Sequence, residues 1–517
     1  MAAAGATGAG TPDISLAGWF AGRARLTPKR RALTFEGTTW TYEAMADRIG
    51  RVATVLRDGG VRHGDRVAFL GLNGPGFFEV MFGAARLGAI FVPLNFRLTG
   101  PELSFIVNDA GVHTLVADDL HRAVIDGVRD ELPCRRYVSS EGAQDGWETL
   151  DSLRDAAAPF AGDEPVAGEE VAVIMYTSGT TGRPKGAMLT HANLWWNNTA
   201  ALLLVDTIED DVSLVVAPLF HIGGLNVTTL QAWMKGAEIV LHRSFDPGKF
   251  LADIAKYGVT TTFAVPAMLL FASQHPDFDS TDLTTMRSII CGGAPVPEPL
   301  IKHYNGRGIQ VNQGYGLTET SPCVSFLTPE FGLAKLGSAG RPPMFVDVRL
   351  VGDGGEVVTE PLGRGEVCVR GPNVMKGYWN RPDATAAAID PDGWFHTGDI
   401  GYFDDEGFLY ICDRVKDMII SGGENVYPAE VESALFDHPA VADIAVIGLP
   451  DERWGEAVVA VAVLSPGAEL SLEGLREYAT DHLAKYKIPT RLETVDVLPR
   501  NPAGKVLKFE LRERFSG

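Results

Sequence analysis

One stretch constrains this chain more than any other: Tyr176-Thr177-Ser178-Gly179-Thr180-Thr181-Gly182-Arg183-Pro184-Lys185-Gly186. The apolar run from Val171 to Met175 precedes it and reads as a buried strand. Thr190-His191-Ala192-Asn193 follows and reads as the start of a helix capped by Thr190. Gly179, Gly182 and Gly186 leave the backbone bare. The hydroxyls of Thr177, Ser178, Thr180 and Thr181 offer hydrogen-bond donors, and Arg183 and Lys185 offer positive charge. A strand-to-helix loop built this way suits a polyphosphate. It is not the P-loop pattern, in which Gly-Lys-Ser/Thr is contiguous at the helix start, because Arg183 and Pro184 separate Gly182 from Lys185.

The length of 517 residues predicts two to four domains, and 45 % apolar with 21 % charged residues is an ordinary globular mixture. The formal net charge of −21, from 45 basic and 66 acidic residues, repels a polyanion such as DNA. Nucleic acid is therefore not expected as a partner. A small anionic nucleotide is still accommodated through local donors. Five scattered cysteines without a CxxC pair argue against a disulfide scaffold or a zinc site and fit a reducing compartment. The N-terminus lacks the pattern of a signal peptide, and no apolar run approaches the ~18 residues of a membrane span. The expectation is a cytoplasmic protein, a monomer or homodimer, with no transmembrane segment and at most peripheral membrane contact.

Along the chain, Thr41 is placed to cap a helix whose Met45, Ile49, Val52 and Leu56 recur at helical spacing, ended by Gly59-Gly60. Short strands then alternate with helices up to about residue 291, the pattern of parallel α/β sheets. From about Gly337 the texture changes to short β runs between glycine-rich turns, read as a small antiparallel barrel or sheet. From Asp413 to the end the chain reads as a compact α+β unit. The predicted organisation is an N-terminal domain over 1–412, with a barrel-like subdomain, hinged to a small mobile C-terminal domain over 413–517.

Further motifs follow the first in order. They are Cys291-Gly292-Gly293-Ala294-Pro295, then Asn312-Gln313-Gly314-Tyr315-Gly316-Leu317-Thr318-Glu319, then Phe395-His396-Thr397-Gly398-Asp399. Arg414, Ile420-Ser421-Gly422-Gly423-Glu424-Asn425 and Pro499-Arg500-Asn501-Pro502-Ala503-Gly504-Lys505 complete the set. Over nearly its whole length the chain resembles the AMP-forming adenylating enzymes, which include acyl-CoA synthetases, aryl-CoA ligases, luciferases and peptide-synthetase adenylation domains. In texture it is most similar to bacterial fatty-acyl-CoA and feruloyl- or coumaroyl-CoA synthetases.

The resemblance implies ATP, Mg²⁺ and CoA as ligands. It assigns Thr177, Ser178, Gly179, Thr180, Thr181, Gly182 and Lys185 to the phosphates. Gly293, Ala294, Pro295, Gln313, Gly314 and Tyr315 go to adenine, Thr318 to the α-phosphate and Glu319 to Mg²⁺. Asp399 goes to the ribose, Arg414 to the same ribose or the phosphate, Asp413 to the hinge, Gly422 and Gly423 to the CoA arm, and Lys505 to catalysis. A carboxylate is the ligand type a hard cation such as Mg²⁺ takes.

The same resemblance puts the acid near His221, Ile222, Gly223, Gly224, Val265, Gly316 and Cys323. No aspartate there matches a substrate ammonium and no arginine over 312–323 matches a second carboxylate. Apolar and small surroundings disfavour an unpaired charge. The expected reaction joins an apolar or aromatic monocarboxylate to CoA through an acyl-adenylate. Transfer of the acyl group to a carrier protein or another acceptor stays open, as does a non-catalytic nucleotide or acyl sensor.

Overall fold

A computed structural model describes residues 13–162, 164–177, 184–294, 296–352, 354–414, 417–421, 424–451, 454–480, 482–483, 485–500 and 506–516. Two eight-stranded sheets dominate. In the first, 212–215, 238–241, 31–35, 261–264, 288–292 and 310–316 run parallel, with 38–41 and 323–326 antiparallel at the edges. In the second, 171–177, 90–94, 66–70, 112–117, 136–139 and 148–149 run parallel, and 185–190 and 377–378 add an antiparallel edge.

The space between the sheets is filled by helices. Thr41 caps Tyr42–Asp58 by accepting a hydrogen bond from the Ala44 N–H at 3.2 Å. Pro75–Ala85 is apolar except at Glu79, which Arg48 and Arg154 pair at 2.6 and 3.2 Å, and every residue from Phe77 to Ala85 is buried, as suits a helix enclosed between two layers. Phe78, Phe82 and Phe20 close around Trp233, so one aromatic knot ties helices of distant sequence together.

The expected small antiparallel barrel or sheet is a five-stranded antiparallel sheet with strand order 357–358, 347–351, 364–370, 395–403, 409–414. Its last strand, Leu409–Arg414, carries the backbone of both Asp413 and Arg414. Beyond it a fourth sheet, 424–426, 419–421, 455–464 and 441–451 with 491–494 alongside, builds two apolar clusters from residues between 419 and 515 alone. Among the described residues no helix is long and apolar enough to cross a membrane.

Parallel strands all end on one side, and in open α/β sheets ligands gather at those carboxyl ends. Strand ends from both large sheets, at Leu94, Thr177, Val216, Val265, Gly292 and Gly316, meet around one cavity of about 2000 Å³.

Candidate functional site

The polar end of the cavity is organised by Thr177 and Lys185. They lie opposite each other where Val171–Thr177 pairs antiparallel with Lys185–Thr190. The stretch between them therefore links two strands of a hairpin. The expected strand-to-helix loop is corrected on this point, because Lys185–Thr190 is itself a strand. The helix His191–Leu202 begins only after it. Thr190 does cap that helix, accepting from the Asn193 N–H at 3.0 Å. The helix N-terminus accordingly sits at the far end of a six-residue strand from Lys185 and does not adjoin it. Ser178, Gly179, Thr180, Thr181 and Gly182 lie outside the described residues.

Glu319 occupies the short turn Thr318–Thr320 and is 8 % exposed. Its Oε1 accepts from the Tyr378 hydroxyl at 2.9 Å and from the Thr177 hydroxyl at 3.4 Å. Both hydroxyls engage the same oxygen, Oε1. Burial, with the Glu319 charge beside it, pushes the Tyr378 phenol up, so it remains a protonated donor. The Lys185 ammonium stands 5.2 Å from the centre of the Tyr378 ring. The sequence reading missed Tyr378. Its only signal is the two-residue strand Gly377–Tyr378, which pairs with Ala187 and Met188 on the edge of the hairpin.

Tyr315 borders the cavity and its hydroxyl donates to Asp399 Oδ2 at 2.7 Å. Asp399 is 5 % exposed and faces Arg414 in the strand register. The turn before it needs Gly398, which has φ +70°. The Gly398 N–H donates to Glu366 Oε1 at 2.9 Å, and Glu366 Oε2 lies 2.8 Å from His396 Nδ1. Cys368 Sγ is 3.4 Å from the same nitrogen. These three donors could in principle hold a cation. Burial, however, pushes the Cys368 thiol up to about 12, and the Arg349 guanidinium stands beside it. The cluster is a hydrogen-bonded brace for the turn that carries Asp399.

Gly293 and Gly314 border the cavity, but Ala294 and Gln313 are not among its described lining residues. The Gln313 amide instead donates to the Ser338 carbonyl at 3.2 Å. Pro295 lies outside the described residues.

The apolar end is walled by Ala217, Phe263, Val265, Ile290 and Phe326, with Leu204, Val205, Val227 and Met268 packed against them. All seven residues expected around the acid line the cavity: His221, Ile222, Gly223, Gly224, Val265, Gly316 and Cys323. Phe263, Phe326 and Leu204 were not anticipated, since nothing local in their sequence marks a pocket wall. Two glycines are required by close approach. A Cβ on Gly316 would lie 1.7 Å from the Pro322 carbonyl oxygen, and one on Gly223 would lie 2.9 Å from the Phe263 ring. Burial, and secondarily Arg97, lower His221 to about 4, so its imidazole is neutral. Burial pushes the Cys323 thiol up to about 12.

The remaining wall comes from the C-terminal unit. Arg500, Val506, Leu507, Lys508 and Arg512 border the same cavity as Thr177 and Glu319. Arg500 and Val506 pair as an isolated antiparallel bridge, and Arg500 reaches Asp443 at 2.5 Å. Across the junction, the Arg364 guanidinium stacks 4.1 Å from the Tyr427 ring centre. Lys505, Gly422 and Gly423 lie outside the described residues, as do the side chains of Asp413 and Arg414.

The AMP-binding enzyme family matches residues 20–379, and the AMP-binding enzyme C-terminal domain matches residues 430–505. A feruloyl-CoA synthase from an Amycolatopsis species is 45 % identical over 500 residues, covering 97 % of this chain and 99 % of that protein. A long-chain-fatty-acid–CoA ligase from Mycobacterium tuberculosis is 43 % identical, covering 96 % and 97 %. Among solved structures, an O-succinylbenzoate coenzyme A synthetase from Bacillus subtilis in complex with ATP and magnesium ion superimposes with a TM-score of 0.84. It is 36 % identical and covers 95 % of this chain and 98 % of that one.

Proposed function

This chain belongs to the AMP-binding enzymes, the AMP-forming adenylating family, and is an acyl-CoA synthetase; from that premise we propose that it joins an apolar or aryl monocarboxylate to CoA at the expense of MgATP. The observation that carries this reading is one continuous cavity with unlike ends. Hydroxyls, a lysine and a buried carboxylate line one end, and apolar side chains line the other.

In this reading the acid's body lies against Phe263, Val265 and Met268, with its carboxylate near neutral His221. The phosphates lie toward Thr177, Lys185 and Thr318. One carboxylate oxygen attacks the α-phosphorus, pyrophosphate leaves, and an acyl-adenylate remains. Two anions must approach for this to happen, so the protein's part is alignment and charge compensation. Glu319 suits Mg²⁺, because a hard cation takes oxygen ligands. Bound Mg²⁺ supplies neutralisation of the polyphosphate charge.

Lys505 follows the cavity-lining Arg500 by five residues and precedes Val506 directly, which supports a role at the same phosphates. The CoA thiol then attacks the acyl carbon and AMP departs. The second step needs Gly422 and Gly423 at the cleft and Lys505 withdrawn. We place the hinge for that exchange at Asp413, dividing the chain into 1–412 and 413–517. Tyr315 and Asp399, already paired, serve the nucleoside together with Arg414. We place the enzyme in the cytoplasm, where its five free cysteines are compatible with a reducing milieu, acting as a monomer or homodimer.

The test is AMP release and product mass from a panel of acids offered with ATP, with and without CoA. Acyl-CoA and pyrophosphate are expected from fatty or hydroxycinnamate-type acids. A preference for an amino acid or a dicarboxylate, or ADP with orthophosphate in place of AMP, would refute the proposal.

A further inference from the structure

The amides along the cavity wall are almost all committed to holding backbone. Asn73 donates to the carbonyls of Ala217 at 3.0 Å and His242 at 3.1 Å, and accepts from the Leu219 N–H at 2.9 Å. Asn197 donates to the Asn226 carbonyl at 3.2 Å and accepts from the Cys323 N–H at 3.0 Å. Asn226 donates to the Ser321 carbonyl at 2.5 Å. Gln231 breaks the pattern. It lies on Thr229–Lys235, between core residues Leu230 and Ala232, and is 1 % exposed. It borders the cavity, yet its Nε2 is shut off from solvent and has no hydrogen-bond partner among the described residues.

A primary amide carries two donors and an acceptor, and burying one unpaired is unfavourable. Leucine or methionine would fill the same volume without that penalty, as the neighbouring core positions do. An amide nitrogen kept at a ligand wall without a partner among the described residues is poised for a ligand atom. His221 Nε2 is a second orphan on the same cavity. The eleven residues from His221 to Gln231 are mostly helical, over Ile222–Asn226 and Thr229–Lys235. Ten steps at the helical rise come to about 15 Å along the chain. His221 and Gln231 border the same cavity, so an acid whose carboxylate faces His221 can turn its far end toward Gln231. The rings of Phe263 and Phe326 on the apolar wall suit a flat aryl body between them.

We propose that Gln231 is a specificity-determining residue whose carboxamide hydrogen-bonds a hydroxyl or alkoxy oxygen on the ring of an aryl acid. This selects ring-oxygenated acids over their unsubstituted counterparts and over saturated fatty acids. The inference rests on the acyl-CoA synthetase reading given above and names the substrate class of that same cavity. A site built to pair a substrate oxygen discriminates against the analogue that lacks it, because the protein group is then left buried and unpaired.

The test compares kcat/KM for 4-hydroxycinnamate, cinnamate, dodecanoate and 12-hydroxydodecanoate in the wild-type enzyme and in Gln231→Leu and Gln231→Met, with thermal unfolding of all three proteins. The expected wild-type ratio of 4-hydroxycinnamate to cinnamate is about 10- to 100-fold, falling to near one in both variants, with no loss of melting temperature. A wild-type ratio near one would overturn the proposal. So would a ratio that survives in the variants, or a melting temperature that falls in both, which would mark Gln231 as a structural, water-bonded amide. Turnover of the two aliphatic acids with rejection of both aryl acids would overturn it while leaving the ligase reading intact. Absence of AMP from every acid would instead bring down the ligase reading, and this inference with it.

Discussion

The two ends of the cavity are built by opposite strategies. At the polar end, Thr177 and Lys185 face each other across a hairpin, and Glu319 is gripped by hydroxyls from Tyr378 and Thr177. Polar partners are satisfied, direction is set by hydrogen bonds, and few side chains could be exchanged without leaving a donor or acceptor unpaired. At the apolar end, Phe263, Val265, Ile290 and Phe326 meet through shape alone, and glycines at 223 and 316 make room for the neighbouring Phe263 ring and Pro322 carbonyl. The difference teaches that one end is fixed by hydrogen-bonded partners and the other mainly by shape, with His221 and Gln231 as its polar exceptions. The first is suited to a constant nucleotide and the second to a variable acid.

Several substitutions would break or sharpen this contrast. The largest effect is expected for Lys505→Ala, which should slow adenylate formation by about 2–4 kcal/mol, on the order of 10²–10³ in rate. Thioester formation from supplied acyl-adenylate should lose far less. Single-turnover measurement of both half-reactions checks this, and equal losses would remove the case for two domain arrangements.

Next comes Gly223→Phe, whose Cβ would begin 2.9 Å from the Phe263 ring. Overpacking of this kind typically amounts to about 1–3 kcal/mol. It should appear as a ten- to hundredfold fall in kcat/KM for bulky acids. KM for ATP should be spared; a parallel change in KM for ATP would show that the two ends are not independent.

A third test separates the fold from the site. His191 is 1 % exposed, its Nδ1 accepts from the Leu16 N–H at 3.1 Å, and burial lowers it to about 4. Between that value and the unfolded value near 6.5, the unfolded chain binds the extra proton. Stability is therefore full above about pH 6.5 and declines toward pH 4, with about 2 kcal/mol lost at pH 5. Urea unfolding at pH 7 and pH 5 should show this slope, and His191→Gln should flatten it. Any acid sensitivity of turnover that persists in the variant belongs to the site.

The smallest effect is expected for Tyr378→Phe, which leaves Glu319 Oε1 with the Thr177 hydroxyl as its one remaining donor among the described residues. A hydrogen bond to a charged group is worth about 1.5 kcal/mol at the low end. The prediction is a roughly tenfold higher Mg²⁺ requirement in pyrophosphate exchange. A change in acid preference instead would link Tyr378 to the apolar end.

The sequence by itself determined the family and the order of its motifs. Residues expected to act on one phosphate chain can be contiguous, as in 177–185, and contiguity survives in a one-dimensional record. It also determined the helix caps at Thr41 and Thr190 and the change from parallel to antiparallel sheet, because caps and periodicities are local. It misread the hairpin, because Gly186-Ala187-Met188-Leu189 lacks the β-branched residues that mark a strand. Only pairing with 171–177 makes a strand of it.

Tertiary structure alone decided the partners. Tyr378 reaches Glu319 across 59 positions and Tyr315 reaches Asp399 across 84. The apolar wall gathers the ends of strands separated by whole helices. Whether a buried amide such as Gln231 is satisfied depends on every atom around it, and that inventory exists only once the chain has folded.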